Sequence, residues 1–466
     1  MGNGTILLIF FAVMLTALFL GTPVFTSMGI TAVIGIAAWV GVGKLGQFGM
    51  TAYTQGTNYN QIILPTFIMM SEFLSQGRVA EDIYYVLNKS VGRFKGGLAI
   101  STTLACTIFA ALCGSSPATA ASIGKISISE MTKRGYAPSF AVGTVAAGGT
   151  LGIMIPPSIP FCLYAALTEN SIVRLFMAGI IPGLLLSTMI ILSIIIRVRL
   201  KPELINSAPS DATAKAMADM DTATAREIVD TAVAAAKEAN PAAKQAEAPE
   251  QSRGFLTILP ALVLIFIVLG SMYFGFATPL EAAGYGVIGA FLIVAFRRRL
   301  TKKMFGNVLL NTAKTGSMMV FLIICGFGMT FVVSYLGIPQ AISTTIAESG
   351  MNRYTVLLLM YVLWFILGCL MDPTSMVLLT IPFLYKTLME LGFDPYWVGV
   401  VCVLGAQIAM ITPPVGMNLF VLRANCDVPM ADIIKGCIPY VILLFLGLAI
   451  LTIFPGLATF LPSRMM

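Results

Sequence analysis

Histidine is absent from the 466 residues of this chain, which removes the commonest acid/base side chain and the commonest transition-metal ligand. Histidine-dependent catalysis is excluded. Charge is scarce too: 11% of residues are Asp, Glu, Lys or Arg against 58% hydrophobic, and mean hydropathy is +0.90. Soluble domains carry about 25% charged residues, so water-soluble fold classes are excluded. Nucleotide-binding loops are missing as well. GKL at Gly43 to Leu45 lacks both the upstream glycine and the following hydroxyl residue of a phosphate loop, and GKI at Gly124 to Ile126 fails in the same way. No GxSxG elbow occurs, and acidic residues are too sparse in the apolar stretches for a proteolytic dyad. No enzymatic activity, catalytic residue or nucleic-acid partner is expected. The eight cysteines form no CxxC pair and mostly lie in apolar runs, so they are expected to be small core residues.

What is present is long apolar segments. Residues 1–43, 96–124, 135–168, 175–196, 254–280, 315–347 and 436–463 contain no charge, and a spanning helix needs roughly 20 apolar residues. The fold class expected is an all-α polytopic membrane protein. A barrel would alternate in polarity, and these runs do not. The apolar stretch from Ile6 to Leu20 has no basic n-region and is followed by a second apolar run, so it reads as a first membrane helix rather than a signal peptide. One segment departs from the rest: residues 201–252 hold sixteen alanines, nine acidic and five basic residues. This is read as a solvent-exposed insert at 201–253, with an Ala-rich middle (212–239) able to form a helix between flanking prolines.

Prolines and glycines reveal an internal repeat. Gly135, Pro138, Pro156, Pro157, Gly179 and Pro182, each shifted by 257, become Gly392, Pro395, Pro413, Pro414, Gly436 and Pro439. CGSSP at Cys113 to Pro117 and LMDPTS at Leu370 to Ser375 match at one residue less. The organisation expected is N-terminal scaffold helices (1–60), a first repeat (61–200), the insert, a scaffold helix pair (254–300; Phe255 to Phe274 and Glu281 to Phe296) and a second repeat (301–466).

Basic clusters at Arg78, Lys89 to Lys95, Lys133 to Arg134, Arg197 to Lys201 and Arg297 to Lys303 place those ends, and the insert, in the cytoplasm. Residues 96–134 then enter and leave on the cytoplasmic face, as two full spans or as a re-entrant hairpin. Arg353 and Glu390 fall outside, so residues 353–390 enter from the opposite face. The halves are read as inverted repeats with discontinuous helices, an arrangement of secondary transporters whose ligands bind at the breaks.

Four breaks carry the candidate sites. Ser116 is read as an N-cap with Pro117 at the first helical position, and Asp372 with Pro373 repeats the pattern. Each helix start presents free N–H groups to an anion; the alternative is an ordinary capped turn. The Pro-Pro pairs are expected to free the carbonyls of Gly152 and Ile153 and of Ala409 and Met410. Unpaired carbonyls in hydrocarbon are costly, and a hard cation would satisfy them. Oxygens of Ser115, Ser116 and Ser158 would help in one half, and of Thr374, Ser375, Thr412 and Asn418 in the other. The alternative is a simple kink. Lacking histidine and membrane carboxylate pairs, the chain favours sodium over a proton. Asp372 has three roles open to it: cap, sodium ligand or substrate-facing group. Glu72 reads as interfacial, and Lys125 as snorkelling to the interface.

LCGSSPATAASIG with IMIPPSIPF in one half and DPTSMVLLTIPF with ITPPVGMNLF in the other resemble the large membrane subunit of tripartite ATP-independent periplasmic (TRAP) transporters. The resemblance spans nearly the whole chain except the insert, which is foreign to the family core. It implies an elevator-type sodium symporter in the bacterial inner membrane with two re-entrant hairpins, no cofactor beyond its coupling ions, a small membrane subunit and a periplasmic substrate-binding protein. It also implies two sodium sites, Ser115, Gly152, Ile155 and Pro157 in one and Asp372, Ala409, Thr412 and Pro414 in the other. The substrate, an organic acid such as a C4-dicarboxylate or sialic acid, is expected between the tips, at Ser115, Ser116, Pro117, Thr119, Ser158, Asp372, Pro373, Thr374 and Asn418. No small-subunit sequence precedes Met1, so the unfused form with a separate partner chain is expected. Competing readings are a stand-alone sodium/dicarboxylate symporter, an intramembrane enzyme and an ion channel.

Overall fold

The computed structural model describes residues 3–206, 255–414 and 416–465. The insert from 207 onward, with its expected Ala-rich helix, lies outside the described residues. Among the described residues all regular structure is helical. The first half runs α1 (Asn3–Phe19), α2 (Val24–Gly35), α3 (Leu45–Gly56), α4 (Ile63–Gln76), α5 (Val79–Val91), α6 (Gly97–Cys113), α7 (Ser116–Lys133), α8 (Pro138–Thr150), α9 (Ile159–Thr168) and α10 (Ile172–Leu200). The second runs α11 (Leu259–Tyr273), α12 (Pro279–Phe296), α13 (Lys302–Tyr335), α14 (Ile338–Glu348), α15 (Arg353–Leu370), α16 (Pro373–Glu390), α17 (Pro395–Ala409), α18 (Met417–Asn425), α19 (Met430–Ile453) and α20 (Gly456–Arg464).

Local signals set most of these boundaries. Proline lies in the first turn of α7, α8, α9, α11, α12, α16 and α17, where its missing N–H costs no helical bond. Thr278 and Glu281 form a capping box at the start of α12. The expected helix from Phe255 is shorter than the sequence implies: a single turn, Phe255–Thr257, precedes α11, whose first turn holds Pro260. Gly135 after α7 and Gly392 after α16 adopt the same left-handed conformation (φ +81° and +78°) at matching places in the repeat.

By length and composition α10, α12, α13, α15 and α19 are able to cross a bilayer. Their outward faces, with Phe321, Leu358, Ile288 and Ile442 exposed, suit a lipid surround. By contrast, α8, α9, α17 and α18 are short: at 1.5 Å rise per residue each reaches only part of the roughly 30 Å of hydrocarbon.

The two halves pack by exchange. α8 lies against α19 and α17 against α10, while α9 lies against α16 and α18 against α7. Such reciprocity is what a two-fold relation between the halves produces. At the α8–α19 crossing, a Cβ on Gly143 would run into the Gly436 carbonyl and one on Gly436 into the Ser139 carbonyl, so backbones approach as closely as small residues permit. Asp82 of α5 is buried and pairs with Arg297 and with Arg299 (Nη1 to Oδ2, 2.8 Å) just past α12. Glu72 accepts hydrogen bonds from Gln76 (2.9 Å) and Asn311 (3.2 Å). All eight cysteines are free, and seven are buried.

Candidate ion and substrate site

The first tip is built by α6 and α7, which pack on one another as a hairpin. α6 ends at Gly114, whose φ of +65° favours glycine, and a Cβ there would also collide with the Pro157 carbonyl. The N-cap of α7 is Ser115 (φ −135°, ψ 125°), not Ser116 as the sequence pattern suggested. The turn at Gly114 leaves Ser115 extended, the conformation a cap requires. Ser116 is already helical, Pro117 follows it, and the Ser116 hydroxyl accepts a 2.8 Å bond from Asn418 Nδ2.

The Ser115 carbonyl accepts from Thr119 N (3.1 Å) and from the Thr119 hydroxyl (2.8 Å). Gly152 lies directly on it: a Cβ at that position would be 2.6 Å from the Ser115 oxygen and 2.8 Å from Thr119 Oγ1. The expected first-half residues Ser115, Thr119, Gly152 and Pro157 are therefore brought together, with Ser158 adjoining Gly114. Ile155 turns its side chain toward Gly183 of α10.

At the second tip Asp372 is the N-cap of α16 and accepts from Thr374 N (3.0 Å) and Ser375 N (3.1 Å). The hydroxyls of Thr374 and Ser375 also donate to it. Pro373 is the first helical residue. Gly368, one turn before Asp372, packs against Ala409, which brings this tip to the end of α17. Among the described residues no hydrogen bond joins Asp372 to Thr412, whose hydroxyl donates to the Ile408 carbonyl at 2.8 Å.

The expectation of four unpaired carbonyls is corrected. The helices end before the Pro-Pro pairs, at Thr150 and Ala409, so the chain is free to bring other donors inward. Ser158 Oγ donates to the Ile153 carbonyl (2.6 Å), Thr412 N to that of Ala409 (3.1 Å) and Asn418 N to that of Met410 (3.1 Å). Of the four, only the Gly152 carbonyl accepts no hydrogen bond among the described residues. The two breaks also differ in setting: Pro156, Pro157 and Ser158 are buried, whereas Pro413 and Pro414 are exposed.

Two site residues escaped the sequence reading. Thr150 and Gln407, both fully buried, form a 2.8 Å hydrogen bond between positions separated by 257. The repeat offset found in the prolines would have paired them, had it been extended to polar residues inside apolar runs. Asn418 was expected as a ligand, yet its link to Ser116, across 302 residues, was not foreseen. Its Oδ1 is buried and unpartnered among the described residues.

Residues 10–457 match the family described as tripartite ATP-independent periplasmic transporter, DctM component. The chain belongs to the DctM family. It is 35% identical over 409 residues to the C4-dicarboxylate TRAP transporter large permease protein DctM of Pseudomonas aeruginosa, covering 87% of each chain. It is 27% identical over 409 residues to the sialic acid TRAP transporter large permease protein SiaM of Vibrio cholerae, again covering 87% of each. Among solved structures, the YdaH transporter of Alcanivorax borkumensis shares the fold, with a TM-score of 0.63 and 13% identity over 89% of each chain. The curated relatives are named as large permease proteins, and membership of a tripartite system implies a small membrane subunit and a periplasmic binding component beside this large one.

Proposed function

We propose that this DctM chain carries an organic acid across the bacterial inner membrane by sodium symport and an elevator motion. The observation that carries the reading is the first break: Gly152, whose carbonyl accepts no hydrogen bond among the described residues, packs its Cα on the Ser115 carbonyl at a helix-hairpin tip, where the Pro157 carbonyl lies against Gly114. A buried carbonyl left without a donor, with backbone and hydroxyl oxygens nearby, is a place suited to a hard cation. Ser115, Gly152, Ile155 and Pro157 form the first sodium site, and Asp372, Ala409, Thr412 and Pro414 the second. The substrate carboxylate sits between the helix starts at Ser115 to Pro117 and at Asp372 to Thr374, with Thr119, Ser158 and Asn418 around it; at the first start, which no side chain caps, free N–H groups and the helix dipole favour an anion.

The reciprocal packing of α6–α10 and α15–α19 supports inverted repeats, and the packed pairs α6–α7 and α15–α16, each joined by a tight turn at its tip, support re-entrant hairpins. These hairpins with α8, α9, α17 and α18 form the moving group. The helices of 1–60 and α11–α12 form the scaffold that meets the small subunit. The names of two relatives point to a C4-dicarboxylate or sialic acid as substrate classes.

Proteoliposomes holding the full chain with its small subunit test this directly. Radiolabelled C4-dicarboxylate and sialic acid are each offered with the cognate binding protein under an inward sodium or potassium gradient. Concentrative uptake of one of them, dependent on both sodium and the binding protein, is expected. Equal uptake in potassium overturns sodium coupling, and uptake by the chain alone favours the stand-alone symporter.

A further inference from the structure

Thr150 and Gln407 meet where the two halves exchange contacts, and both side chains are fully buried. The Thr150 hydroxyl donates to the Ala147 carbonyl at 2.7 Å, so toward Gln407 it is only an acceptor. Gln407 must then present its Nε2, at 2.8 Å, which leaves Oε1 buried and without a partner among the described residues. An orphaned acceptor in a dry core is destabilising, and an apolar pair of similar shape would pack there at no such cost. Packing alone is a poor reason for this pair.

Position supplies a better one. Thr150 is the last residue of α8, two before Gly152; Gln407 lies two before Ala409, the last residue of α17. We propose that the Thr150–Gln407 hydrogen bond couples the two helix breaks, so that sodium ordering one break favours sodium at the other. The inference rests on the two-site reading above. Gln407 is a positioning residue, held one step away from each ion. Coupling of ordinary size makes the second ion bind about 5- to 150-fold more tightly once the first is in place. The warrant is physical: one buried bond joins two elements whose ordering each site biases.

The test uses the full-length chain in nanodiscs, titrated with sodium chloride against choline chloride at constant ionic strength, and reads melting temperature and tryptophan fluorescence. The parent is expected to respond sigmoidally, with a Hill coefficient approaching about two. The Thr150→Val/Gln407→Leu double variant is expected to melt no lower than the parent without sodium and to keep its response at saturating sodium. Its Hill coefficient falls to about one, and its midpoint rises about two- to twelvefold, the square root of the coupling factor. Thr150→Ser, which keeps the hydroxyl, retains the sigmoid; Thr150→Val alone flattens it. Equal Hill coefficients in parent and double variant overturn the coupling while leaving the two sites standing. No sodium response in the parent overturns the two-site reading and the coupling with it.

Discussion

At Gly152 a single hydrogen atom keeps the first break intact. A methyl group there would meet the Ser115 and Thr119 oxygens at 2.6 and 2.8 Å, and neither can retreat, because the Ser115 carbonyl is held by two bonds from Thr119. Gly152→Ala is expected to lower stability by about 1–3 kcal/mol through overpacking. It should also raise the sodium concentration that half-saturates uptake, measured beside the melting temperature. An unchanged half-saturation point would remove Gly152 from the ion site. This residue was readable as special from its place before Pro-Pro, but its partner was not. Proline frees a carbonyl four residues back only while the helix continues, and here α8 has already ended at Thr150.

Helix starts show how far local pattern reaches. SSP and DPT look alike in sequence, yet the structure separates them: Asp372 caps α16 through two backbone N–H groups, while the Ser115 side chain makes no cap bond. Asp372→Ala is therefore expected to cost about 0.5–2 kcal/mol. Ser115→Ala should stay within about 0.5 kcal/mol. Paired thermal unfolding curves of the two variants check this, and equal losses would contradict the assigned caps. The one-residue error in the first cap has a plain cause. Either serine is able to cap, and only the left-handed turn at Gly114, a conformation glycine permits but does not announce, leaves Ser115 extended.

For the whole molecule, the exchange of helices between halves leaves a question of direction that labelling from each side answers. Lys133 ends α7 and Arg134 follows it, and Glu390 ends α16 at the matching place. With the native cysteines replaced, Arg134→Cys is expected to react with a membrane-impermeant maleimide only from the cytoplasmic side, and Glu390→Cys only from the periplasmic side. Reaction of both from one side would mean parallel repeats and would dissolve the elevator reading.

Hydropathy, the prolines and the offset of 257 were enough to determine a helical membrane protein in two related halves with breaks at four known places. These are properties of short stretches, because apolar length and a missing N–H act within a turn or a span. Only the tertiary structure decided which carbonyls remained open, that Asn418 would hold Ser116 across 302 residues, and that Thr150 would meet Gln407. Hydrogen-bond satisfaction in a dry interior depends on whichever donor the fold delivers. The donors that close three of the carbonyls come from the same half, while those that reach Ser116 and Thr150 come from the opposite one.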